Sequence, residues 1–192
     1  MKKRLACSLS LLLVLTVTLT CILAASADSP DSPDKILKIG YCEGESYYEF
    51  NYALYNIIYG LEEYGLITEL PEGMPVESDS RVIWKWICSQ NQEDWKVRFV
   101  EDAFFSLTDS EFSQMEESDM VKYIDNKITS SGVGLMISMG TIAGLTTKAL
   151  PSVTSMMCFA AADPVKSGIV ANAQQSDTPN VWAQVDVDGF KR

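Results

Sequence analysis

Two short polar loops carry the residue types best suited to holding a ligand. Ser138-Met139-Gly140-Thr141 closes one apolar run, and Ala161-Ala162-Asp163-Pro164-Val165-Lys166-Ser167-Gly168 closes another. Thr141 stands where a helix would begin. A threonine there caps the helix, and the unpaired N–H groups of a first turn attract anions and carboxylates. Asp163 is placed to accept hydrogen bonds from a ligand amine or hydroxyl, or else to cap its own turn. Pro164 fixes the backbone just past it. A further loop, Glu43-Gly44-Glu45-Ser46, precedes a helical pattern that starts at Tyr47.

Tyrosine is concentrated near that loop. Seven of the eight tyrosines fall between Tyr41 and Tyr64. Tyr48, Tyr52, Tyr55 and Tyr59 form a stripe beside an apolar one, and two readings fit it. One is an aromatic surface near a ligand or partner, and the other is a half-exposed helix flank. Tyr47 and Tyr48, nearest the loop, are the better ligand candidates.

Catalytic signatures are missing. The chain has no histidine, which removes most nucleophilic triads and the commonest metal ligand. It has no phosphate-binding G-x-x-x-x-G-K-[ST] loop and no G-x-S-x-G elbow. No acidic pair has a diagnostic spacing. Binding is therefore expected rather than catalysis, with no cofactor, no metal and no catalytic residue.

The elements that must position these loops alternate. Lys35 to Cys42 (KILKIGYC) reads as a strand buried on both faces, because its apolar residues do not alternate strictly. Tyr47 to Tyr64 has helical period, with Phe50, Leu54, Ile57 and Leu61 on one side and Gly65 after it. Asp79 or Ser80 is placed to cap a helix bearing Ile83, Trp86 and Ile87. Trp95 to Val100 reads as the second strand, and Glu101 to Met115 is ambiguous. Ser118 is placed to cap a helix that ends near Gly132. Val133 to Met139 is the third strand, Thr141 to Leu150 its helix, and Val153 to Ala161 the fourth strand. This order predicts an α/β fold, a doubly wound parallel sheet with helices on both faces. Ligands bind such sheets outside the carboxyl ends of the strands.

Targeting and charge bound the setting. Residues 1–27 combine a basic start (Lys2, Lys3, Arg4), an apolar stretch from Leu5 to Leu23, and Ala25-Ser26-Ala27 as a cleavage site. That is the pattern of a signal peptide. An uncleaved anchor and lipid attachment at Cys21 are the alternatives. Export to the periplasm or cell surface is expected in each case. Residues 28–35 (DSPDSPDK) read as a disordered tether. The chain holds 15 Lys and Arg against 26 Asp and Glu, and three of the basic residues lie in the leader. Such an acidic chain is a poor partner for nucleic acid or an anionic membrane surface. Beyond the leader, Cys42, Cys88 and Cys158 remain. An odd count is no disulfide framework, and the sequence does not choose a pair.

The run MISMGTIAGL, with SVTSMMCFAAADPVKSGIV after it, resembles ABC-transporter substrate-binding proteins of the tryptophan/tyrosine type. The resemblance rests on Gly140, Thr141 and Ala143 after the third strand. It continues through Asp163-Pro164-Val165, Gly168-Ile169-Val170 and Asn180-Val181. It covers Val133 to Val187. It implies a type I periplasmic-binding-protein fold: two Rossmann-like lobes joined by crossover strands, which close on a ligand by a hinge movement. Residues 36–180 would be the N-terminal lobe, and 181–192 a crossover strand and the start of a truncated second lobe. The function implied is capture of a small solute, an amino acid among the candidates, for delivery to an ABC permease. Gly140, Thr141, Ala162 and Asp163 would face the cleft, with Glu43 and Ser46 carried over by position and Tyr47 beside them. A ligand-sensing domain of the same fold is the alternative. An exported α/β hydrolase using an acid or Cys158 is a third reading, and without histidine Cys158 lacks the usual base.

Overall fold

The computed structural model describes residues 36–153, 155–174 and 176–184. The leader 1–27, the tether 28–35 and residues 185–192 of the expected crossover segment lie outside these. Strand β1 (Leu37–Glu43) is buried from Ile39 to Glu43. The sequence shows no alternation there because both faces are covered. Tyr41 stacks on Phe104 and packs against Trp84 on one face. Cys42 belongs on the other face to a cluster with Ile124, Ile128, Met136 and Ala143.

Helix α1 (Tyr48–Glu63) and helix α2 (Ser80–Cys88) lead to strand β2 (Val97–Ser106). Helix α1 buries Phe50, Leu54, Ile57, Ile58 and Leu61, the spacing that the sequence predicts. Asp79 caps α2, its Oδ1 accepting the Val82 N–H at 2.9 Å. Strand β2 runs through part of the ambiguous segment, six residues beyond Val100. Its pairing explains the ambiguity. Ile39 pairs with Phe99, but Tyr41 pairs with Phe104. The additional residues between them bulge out, which breaks the period-2 pattern. The bulge closes on Gly40, where a Cβ would lie 2.6 Å from Met136 Sδ and 3.2 Å from Ala103 Cβ. A side chain there would displace the Met136 thioether and crowd Ala103, so glycine suits that close approach.

Helix α3 (Glu117–Ser131) begins one residue before Ser118. Its N-cap is Glu116, without a side-chain bond, and Glu117 and Asp119 in the first turn offset the helix dipole. Helix α3 ends on Gly132 in the left-handed conformation. Strand β3 (Leu135–Met139) passes directly into helix α4 (Gly140–Lys148). Strand β4 (Met156–Phe159) is shorter than the apolar run that contains it. Ala160 has φ 54, which takes the chain out of the strand there. The turns after β4 cover it instead of a helix, with Ile169 and Val170 packed on Met156 and Cys158. Strand β5 (Val181–Ala183) closes the series.

All pairs are parallel, in the order β2-β1-β3-β4-β5. The fold is thus α/β, a five-stranded parallel sheet flanked by helices, as the alternation predicts. Trp84 of α2 packs with Tyr41, Phe99 and Phe104. Ile124 and Ile128 of α3 and Ala143 of α4 pack with Cys42, Met136 and Phe105. The β1–β2 connection leaves β1 to one side, and the β2–β3 connection crosses β1 to the other. Strands β1 and β3 are therefore neighbours whose helices diverge, a topological switch point.

Candidate functional site

A switch point opens a crevice because no connection covers the gap between the two diverging loops. Here the ends of β1 and β3 are tied across it by the Gly44 N–H, which donates to the Met139 carbonyl at 3.3 Å. Above this tie lies a cleft of about 330 Å³. Gly44, Glu45 and Tyr47 line it from the β1 loop, and Glu49 and Phe50 from the first turn of α1. Met139, Gly140, Thr141 and Ile142 line it from the β3–α4 junction, and Ala160 and Ala162 from the end of β4.

Gly140 makes the junction without a loop. Its φ is 84, and a Cβ on it would stand 3.0 Å from the Phe50 ring. A positive φ at the first helical residue turns the strand sharply into α4. Met139 occupies the N-cap position with no side-chain bond. The expected Thr141 cap is therefore replaced by another contact. Thr141 Oγ1 accepts the Ala162 N–H at 3.2 Å, bracing the β4 loop against α4.

Four of the sequence-derived candidates, Tyr47, Gly140, Thr141 and Ala162, come together in this cleft. Glu43, Ser46 and Asp163 are not among its lining residues. Glu43 is the last residue of β1 and only 2% exposed. Its parity puts it on the Tyr41 face, where Tyr41 Oη donates to its Oε2 at 3.0 Å and Ser80 Oγ donates to the same oxygen. Burial pushes the Glu43 carboxyl above its ordinary value. The bonds from Ser80, Tyr41 and Ser106 and the charge of Arg81 oppose that shift. Ser46 is exposed in the β1–α1 loop. Asp163 caps its own turn, with Oδ1 accepting the Lys166 N–H at 2.8 Å.

Sequence reasoning missed Glu45, Glu49, Phe50, Ile142 and Ala160 as cleft residues. Glu45 and Glu49 are unremarkable acidic residues in an acidic chain. The left-handed turn of Ala160 has no composition signal, since alanine rarely adopts it. No tyrosine of the stripe lines the cleft, and of the two ligand candidates Tyr47 and Tyr48 only Tyr47 does. Tyr47 enters the cleft and packs on Tyr48 and Phe50 at ring distances of 5.0 and 5.5 Å. Tyr52, Tyr55 and Tyr59 run down α1 outside the lining set.

Among the described residues, no group of three or more metal-ligating side chains is assembled, and no helix is long and apolar enough to cross a membrane. Cys42, Cys88 and Cys158 are all unpaired thiols. Burial pushes each up to about 12, which leaves them poor nucleophiles. Comparison with protein-family models, curated proteins and solved structures returns no match.

Proposed function

We propose that this chain is an exported solute-binding protein that captures a small ligand at the β1/β3 switch point, for an ABC importer. The observation that carries the binding reading is the cleft itself. It lies at the carboxyl end of a parallel sheet, where such folds take ligands. It combines apolar walls with a few polar groups, the usual make-up of a small-molecule site. The volume, about 330 Å³, falls at the small end of such sites. The transport reading rests on the resemblance over Val133 to Val187, two of whose motif residues, Gly140 and Thr141, line this cleft. In the resembled family a second lobe closes over the ligand, and ligand-driven closure is what a permease would read.

The test is a thermal-shift screen of the purified chain against amino acids, amines, nucleosides and sugars. Binding to the native state raises the melting temperature by mass action. Ala162→Trp places an indole in the cleft from an exposed position. A hit abolished by that variant supports the reading. A hit unaffected by it, or no hit across the screen, removes it.

A further inference from the structure

The cleft walls are unbalanced in charge and rich in rings. Glu45 and Glu49 line the cleft, and among the described residues no lysine or arginine does. Tyr47 and Phe50 supply aromatic surface, with their rings 5.5 Å apart and nearly perpendicular. Tyr48 packs on Tyr47, and its hydroxyl donates to Glu49 Oε1 at 3.2 Å. Aromatic faces beside carboxylates are the chemistry that recognises an organic ammonium.

We infer that the ligand of this cleft is a small organic amine, a cationic ammonium on an apolar or aromatic body, bound without need of a carboxylate. This rests on the reading of the cleft as a ligand site and specifies its chemistry. The competing attraction for a carboxylate is the amino end of α4 at Gly140. A helix end amounts to roughly half a positive charge. Two full carboxylates line the same cleft, so the negative side prevails. The chain's net charge of −11 adds a field of the same sign. An amino acid would bring its own carboxylate into that field with no cationic side chain to receive it. The corresponding decarboxylated amine would not.

The experiment is titration calorimetry of the full chain with two matched pairs, tyramine against tyrosine and phenethylamine against phenylalanine, with 2-phenylethanol as the uncharged control. The expected result is an amine that binds at least about tenfold tighter than its parent amino acid, about 1.4 kcal/mol. That advantage should vanish in Glu45→Gln/Glu49→Gln, whose two positions are exposed. Equal or tighter binding of the amino acid, lost in Ala162→Trp, overturns the inference and leaves the cleft as a ligand site. Amine binding that survives Glu45→Gln/Glu49→Gln, or that 2-phenylethanol matches, also overturns it. So does the absence of amine binding, and the site reading then depends on the wider thermal-shift screen.

Discussion

Thr141 and Ala162, both lining the cleft, are joined by the Ala162 N–H donating to Thr141 Oγ1 at 3.2 Å. Thr141 is in the first turn of α4 and Ala162 follows β4, 21 residues apart, and the bond makes one wall of two segments. Elsewhere the segment after β4 is tied to α4 by Lys148 Nζ, which donates to the Gly168 carbonyl at 2.8 Å, and by Ile169, which lies against Gly144. Thr141→Val removes the acceptor at nearly constant volume. We expect a stability loss of about 1 kcal/mol, the usual worth of such a bond. Thr141→Ser should restore most of it. Urea denaturation measures the loss, and hydrogen exchange at the Ala162 amide localises it. Unchanged exchange there would show that the bond does not brace the loop.

Gly140 faces two obstacles to any side chain, a φ of 84 and the Phe50 ring 3.0 Å from where its Cβ would be. The left-handed backbone alone costs a substituted residue about 1–2 kcal/mol. Gly140→Ala should therefore destabilise by at least that amount. A double-mutant cycle with Phe50→Leu separates the two parts. The contact part should shrink, and the backbone part should remain. A full recovery in the double variant would show that the backbone conformation carries no cost.

Glu43 makes stability depend on pH, with a definite sign. Burial raises its carboxyl above the ordinary value, so the folded state holds the proton more tightly than the unfolded chain does. The stabilisation from this group is fully present below the unfolded carboxyl pKa, about 4.3. It is lost as pH rises through the higher folded value. Glu43→Gln stays neutral and keeps an acceptor for Tyr41 and Ser80. Relative to the parent chain, the variant should gain stability as pH rises from about 4 towards 8. Chemical denaturation at a series of pH values reads this directly. A difference that is flat across that range, or of opposite slope, would mean that burial does not raise the Glu43 carboxyl.

The thiols of Cys42 and Cys158 are buried, at 0% and 1% exposure, and both are pushed up to about 12. Against an ordinary thiol near 8.5, the thiolate fraction near neutral pH falls by roughly a thousandfold. Ellman's reagent should label them only as fast as the protein opens. Full labelling in denaturant and almost none without it is the expected contrast. Rapid labelling of Cys158 in the folded protein would reopen a nucleophilic role for it.

Ala160 ends β4 with φ 54, in a region that β-branched residues avoid. Ala160→Gly should be tolerated within about 1 kcal/mol, since relief of strain offsets the added chain entropy. Ala160→Val should cost more, about 2 kcal/mol. Thermal denaturation distinguishes the pair. Equal stability of the two variants would contradict the left-handed turn.

How far the sequence reaches is clearest at particular residues. Phe50, Leu54, Ile57 and Leu61 announce α1 by spacing alone, because one face of a helix must be apolar to pack. Asp79 and Ser80 both announce the start of α2, because an N-cap needs a short acceptor, and the structure gives the cap to Asp79. The bulge in β2 hides that strand's length, because an irregular pairing leaves no period. Gly140 is legible as a loop glycine, but its contact with Phe50 is not.

The candidate loops follow the same division. Their positions at the ends of apolar runs are local properties, set by the run of strand-forming residues and the polar residues after them. Local chemistry therefore determined the α/β alternation and placed Gly140, Thr141 and Asp163 at strand ends. Which strands lie side by side is a long-range choice, made by burying both faces of β1 at once. Only the tertiary structure put β1 between β2 and β3. That order set β1's Glu43 under α2, where Ser80 reaches it, and brought Glu45, Tyr47 and Glu49 against Gly140 and Ala162.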